Sequence, residues 1–255
     1  MSASKVSKRP LLEIACFNPK SAVIAAAVGA DRIELCKDNS SGGLTPESST
    51  LASLKSQTNI PVYVMIRPNS HSFCYDTADF ERMKRDISTL KALGADGFVF
   101  GILHDTSENS GDPSWSLIDV ARNTELVQRA EGRPCTFHRA FDLIPETQWD
   151  AALSDIRDCG FTSILTSGGP SGTSALECID KLVTLVGWMN RQGELDMRNC
   201  CRAPDIIVGG GVRSSNIGLL RDHIQAGVFH SAALVGGGTL VSADEVRKMS
   251  ASLKI

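Results

Sequence analysis

Gly29-Ala-Asp-Arg-Ile-Glu-Leu-Cys36 and Gly94-Ala-Asp-Gly-Phe-Val-Phe-Gly-Ile-Leu103 follow one plan: a glycine, a short polar step, then a β-rich apolar run. A glycine in that place can take the left-handed conformation that ends a helix, so each stretch reads as a helix end feeding a strand. Gly160 and Gly227 also sit just before such runs. Working outward, β-rich runs occur at Leu11 to Phe17, Arg32 to Cys36, Val62 to Arg67, Gly97 to Leu103, Cys135 to Phe141, Ser163 to Ser167, Asp205 to Val208 and Val228 to Val235. Between them apolar residues fall three and four apart, as in Phe80, Met83, Ile87 and Leu90, or Leu176, Ile179, Val183 and Val186, which is helical spacing. Asn18-Pro19 and Thr45-Pro46 read as cap-then-proline helix starts, and Ser174 with Glu177 and Ser242 with Glu245 have capping-box spacing.

Eight strand–helix units without a break in composition predict the α/β class and a single closed (β/α)8 TIM barrel, since a doubly wound sheet usually stops at five or six strands. The length of 255 residues agrees with the roughly 250 typical of one such barrel. Residues 1–10 read as a flexible N-terminal tail and residues 11–255 as the barrel domain. The least patterned stretch, residues 187–204 around Cys200 and Cys201, reads as a long helix end and loop on the N-terminal side of the barrel.

A net charge of -3 with 22% charged residues gives no basic surface for a polyanion, which excludes nucleic acid as a partner. No apolar run approaches the roughly 18 residues of a membrane span, and the polar, basic opening lacks a signal-peptide pattern, so no membrane partner and a cytoplasmic location are expected. The eight cysteines show no C-x-x-C spacing and read as reduced thiols.

In this fold the chemistry is carried by strand C-termini and the loops after them. Glu13 and Glu34 come from the first two strands, Arg67 from the third, His138, Arg139 and Asp142 from the fifth and its exit, and Ser167 from the sixth. Two uses of these residues stay open. They can form a closed ion-pair network, because an unpaired buried charge costs several kcal/mol. The same network can also bind a small anionic ligand through Arg67 or Arg139, with Glu13, Glu34 or His138 exchanging protons. Gly209, Gly210 and Gly211 end the seventh strand, where barrels often grip phosphate, although a tight turn alone would select glycine there. Lysine is nearly absent from the strand ends, which disfavours a Schiff-base aldolase. The usual zinc patterns are also missing. Cys16 and Cys36 end neighbouring strands and offer soft ligands for Cu(I), but the period-two alternation puts Cys16 on the face opposite Glu13 while Cys36 shares a face with Glu34.

Several strings together resemble the CutC family of copper homeostasis proteins: Leu12-Glu-Ile-Ala-Cys16, Ala30-Asp-Arg-Ile-Glu-Leu-Cys36, Gly42-Gly-Leu-Thr-Pro46, Met65-Ile-Arg-Pro68, Thr136-Phe-His-Arg-Ala-Phe-Asp142 and Leu165-Thr-Ser-Gly168. The resemblance runs from about Leu11 to His230 and implies a cytosolic, homo-oligomeric TIM barrel that binds copper as Cu(I) through Cys16 and Cys36. The chain departs from the family pattern after the third strand, where Asn69-Ser-His-Ser-Phe73 replaces the usual Arg-Gly-Gly-Asp-Phe, and after the eighth, where the segment is short. The carboxylates, arginines and histidine at the strand ends look more like an enzyme's than a metal carrier's. Three expectations follow: a copper-binding homeostasis protein, an isomerase, lyase or hydrolase of a small phosphorylated or carboxylated molecule, or a scaffold with a vestigial site.

Overall fold

The computed structural model describes residues 9–105, 117–195 and 203–254. Eight parallel strands close into a barrel in sequence order: β1 Leu11–Cys16, β2 Arg32–Leu35, β3 Val62–Met65, β4 Gly97–Phe100, β5 Cys135–Phe137, β6 Ser163–Thr166, β7 Asp205–Val208 and β8 Val228–Ser231. Each is followed by a helix on the outside: α1 Pro19–Ala27, α2 Ser48–Lys55, α3 Thr77–Ala92, α4 Val120–Arg129, α5 Trp149–Asp158, α6 Ile179–Leu195, α7 Ile217–Ile224 and α8 Ala243–Ser252. The predicted strand starts hold at every strand, whereas seven of the eight ends come one to four residues earlier than the apolar runs, β7 being the exception. Past the ladder the chain stays apolar while its backbone turns; His138, for instance, caps a 3-10 turn over Arg139–Leu143.

Side-chain alternation divides the interior in two. Cys36, Tyr63, Met65 and Val99 pack as one cluster and Leu165, Ile207 and Val228 as another, both inside the barrel. Their sequence neighbours, among them Ile14, Cys16, Leu35, Val64, Phe98, Phe100 and Phe137, belong to the larger core between sheet and helices. Strand β4 makes room on the inside by giving up side chains. A Cβ on Gly97 would lie 2.7 Å from the Tyr63 ring, and one on Gly101, just past β4, would lie 2.9 Å from His138 Nδ1. Glycine at these two positions admits the ring of Tyr63 and the imidazole of His138 into the barrel.

Several local expectations change. Asn18 caps α1 through Ser21 as its sequence suggests. Thr45 does not cap a helix, because its hydroxyl accepts a bond from the Arg67 amide and α2 begins after Glu47 without a side-chain cap. Ser174 and Glu177 form a reciprocal box. Ser242 caps α8, but Glu245 turns away to hold the amide and hydroxyl of Ser214. Gly29, Gly94 and Gly160 have positive φ, while before β8 the left-handed residue is Gln225 at φ 54 rather than Gly227. On α6 the buried stripe is Leu182, Leu185 and Met189, and Val183 is 42% exposed. Two apolar stripes lie side by side on that helix, and the weaker one follows Ile179, Val183 and Val186. Cys200 and Cys201 fall outside the described residues, as do residues 1–8.

Candidate functional site

A cavity of about 220 Å³ opens where the strands end. Glu34, Arg67, His138, Arg139, Gly210 and Gly211 line it, together with Phe73, Arg213 and His230. Glu13, Asp142, Ser167, Gly209, Cys16 and Cys36 are not on its wall.

Glu13 lies beneath, in a row spanning three strands. Register sets it opposite Arg32 on β2 and His230 on β8. Its carboxylate takes Arg32 Nε at 2.5 Å and His230 Nδ1 at 2.8 Å. Burial alone would raise this carboxyl, but the Arg32 charge and the His230 bond overcome it and hold Glu13 at about 2. Glu34, one inward position further along β2, has no such partner. Its Oε2 is buried without a hydrogen bond, and burial pushes its carboxyl up to about 7, opposed by His230 and aided by the Glu13 charge. His230 is desolvated too, yet Glu34 and Glu13 raise it above the usual imidazole range.

Opposite this row, Phe73 packs between Arg67 and His138. The Arg67 guanidinium carbon lies 4.6 Å from the Phe73 ring centre, and the His138 ring meets Phe73 edge-on at 4.6 Å. Arg67 Nη1 donates to the carbonyls of Ser41 at 2.6 Å and Gly43 at 3.3 Å, and no carboxylate pairs with it among the described residues. His138 Nδ1 accepts from the Ala140 amide, which leaves the proton of the neutral ring on Nε2, and that atom is buried without a partner. Burial and the nearby Arg67 charge lower His138 to about 3, so it is a neutral donor.

Asp142 organises the exits of β5 and β6. One oxygen accepts from Thr166 Oγ1 at 2.6 Å and the Ser167 amide at 3.2 Å, and the other from Arg139 Nε at 2.7 Å and Ser167 Oγ at 3.2 Å. Asp142 and Ser167 are consumed in holding Arg139 at the cavity edge. Gly209 is a packing glycine, since a Cβ there would lie 2.7 Å from Leu165 Cδ1, and one on Gly210 would lie 2.7 Å from Ser167 Cβ.

The two cysteines stand on opposite sides of the barrel wall. Cys16 Sγ lies in the outer core and bonds the Ile14 carbonyl, while Cys36 Sγ lies inside against Gly43 and Met65. Both are fully buried, and burial with the Glu34 charge pushes both thiols well above their ordinary range. Cu(I) needs thiolates on a common side, so this pair does not fit a shared copper ion as arranged. Among the described residues the metal-capable side chains that converge are Glu13, Glu34 and His230, with donor atoms within 4.8 Å. These are oxygen and imidazole ligands, and Glu13 is already clamped by Arg32, which favours a proton-sharing network over a metal centre.

Sequence reading missed Arg32, Phe73, Arg213 and His230. Alternation along β8 carries the signal for His230, because Val228, His230 and Ala232 share the inward face. His138 reaches the cavity, whereas His71 and His104 are not on its wall.

The CutC family model matches residues 10–234. The CutC family protein of Erwinia tasmaniensis is 38% identical over 225 residues, covering 87% of this chain and 78% of its own. Among solved structures, the CutC of Streptococcus agalactiae, named for copper homeostasis, superimposes with a TM-score of 0.76 at 27% identity, over 91% of this chain and all of the other. The phosphoribosylanthranilate isomerase of Pyrococcus furiosus shares the fold with a TM-score of 0.62 at 12% identity, over 96% and 98% of the two chains. The family-model match along nearly the whole domain and the 38% identity with the Erwinia protein establish that this chain belongs to the CutC family.

Proposed function

We propose that the chain binds and transforms a small carboxylated or phosphorylated molecule at the barrel mouth, by proton transfer in an isomerase, lyase or hydrolase reaction. One observation carries this. Glu34 Oε2, His138 Nε2 and Arg67, which meets no carboxylate among the described residues, all stand on the wall of one cavity. A buried polar atom left without a partner costs on the order of 1–3 kcal/mol, and a ligand that engages all three recovers it. Arg67 supplies the anion's countercharge and His138 a neutral N–H. Glu34, close to half-protonated at neutral pH, is suited to pass a proton either way, with His230 beside it.

Copper homeostasis, the role in the name of the streptococcal relative, then runs through this site rather than through Cu(I) carried on Cys16 and Cys36. The buried, uncharged thiols on two faces of the wall support that choice. Thermal unfolding in increasing inorganic phosphate, sulfate or acetate tests the anion site. A concentration-dependent rise in melting temperature that Arg67→Ala abolishes is expected. No rise across millimolar anion overturns the assignment.

A further inference from the structure

In a ring of eight strands taken in order, β3 and β7 stand on opposite sides of the mouth. Arg67 leaves β3 and Arg213 leaves β7, and both line the cavity. Neither meets a carboxylate among the described residues. Arg213 Nη1 is held by the Val212 carbonyl at 2.8 Å and Ser231 Oγ at 3.1 Å. Arg139, from β5 between them, differs because Asp142 neutralises it. The mouth therefore carries two uncompensated guanidinium groups facing each other across its width.

Each pole has a second donor. Beside Arg67 stands the partnerless Nε2–H of His138. Beside Arg213, Gly210 and Gly211 follow one another at φ 88 and 75, and their amides donate to no protein carbonyl or side chain among the described residues. Successive free amides next to an arginine form a cradle for an oxyanion. Glu34 and His230, on β2 and β8, occupy the side of the ring between the two poles.

We propose that the ligand of this mouth is a two-ended anion, with one acidic group on Arg67 and His138, the other on Arg213 and the Gly210–Gly211 amides, and its carbon frame passing Glu34 and His230. This rests on the anion site proposed above and adds the substrate class. Carboxylate and phosphate share the needed chemistry, an oxyanion that accepts two or more N–H bonds. The cavity of about 220 Å³ is below the roughly 300–1,000 Å³ of pockets for drug-sized ligands, so the frame is short.

Binding is measured by calorimetry and thermal shift at fixed ionic strength, with acetate, inorganic phosphate and the dicarboxylates malonate, succinate, glutarate and adipate as probes. The affinity is expected to peak at one chain length, at least tenfold above acetate. Arg67→Ala and Arg213→Gln should each return the best dicarboxylate to the acetate level, and Arg213→Lys should keep part of the gain. Far-ultraviolet circular dichroism verifies that each variant is folded. An affinity flat with chain length, or a dicarboxylate advantage that survives Arg213→Gln, overturns the two-ended ligand. In that case bound acetate or phosphate still leaves the single anion site standing. If no probe binds, both proposals fall.

Discussion

Glu34 and His230 sit on strands that do not touch, β2 and β8, yet their donor atoms lie within 4.8 Å of each other across the intervening β1. Strand alternation turns both side chains inward, and Glu13, between them in the ring, is drawn down to Arg32 and leaves the space above it to this pair.

Burial gives Glu34 a distinctive pH signature. Its carboxyl titrates at about 7 in the folded chain, against about 4.3 in an unfolded one. Between these values the folded state holds more protons, so stability falls as pH rises from about 4.5 to 7. The raised His230 acts in the same direction, its contribution being complete below about 6.5 and lost as pH climbs through the folded value. Glu13 acts oppositely, with stability lost as pH falls below about 4.5 toward 2. Urea midpoints from pH 5 to 8 should decline, and Glu34→Gln should flatten the decline; an unchanged slope in the variant refutes the assignment to Glu34.

Copper gives a second test. Because the Cys16 and Cys36 thiols face opposite sides of the wall, replacing both with serine should leave the stoichiometry and affinity for Cu(I) unchanged. Competition against a chromophoric Cu(I) chelator reads this directly. Loss of one copper equivalent in the double variant would restore the two cysteines as its ligands.

Asp142 accepts four hydrogen bonds at a fully buried position. Asp142→Ala strands the Thr166 hydroxyl and the Ser167 amide and should lower stability by on the order of 3 kcal/mol in chemical denaturation. Asp142→Asn, which keeps one acceptor oxygen for the Thr166 hydroxyl and the Ser167 amide, should cost clearly less. Equal losses in the two variants would show that the network is not what Asp142 supplies.

On α6, Leu182→Ala should cost about 2–5 kcal/mol, since Leu182 has no exposed surface, while Val183→Ala should stay within about 0.5 kcal/mol. A reversed order would put the other stripe against the sheet.

The barrel was legible in the sequence because apolar spacing switches between helix and strand along the chain, and before β2, β4 and β6 the helix stop is written in glycine. Strand ends were not, because apolar residues continue past the ladder into turns whose backbone geometry leaves no mark in hydrophobicity. Glu34, Arg67 and His138 were legible as polar residues in apolar runs. His230 was legible only as an inward position of β8, because its partner Glu13 lies 217 positions away. Arg213 stood in what looked like a glycine turn, and nothing local separates an arginine that lines a cavity from one in water.

The bond between Glu13 and His230 lies on the seam where the first strand meets the last. A ribosome delivers Glu13 early and His230 some two hundred residues later. Until the final strand docks, Glu13 lacks its imidazole partner and the mouth lacks one side. A nascent or half-assembled chain therefore lacks this pair, and the mouth is complete only with the closed ring.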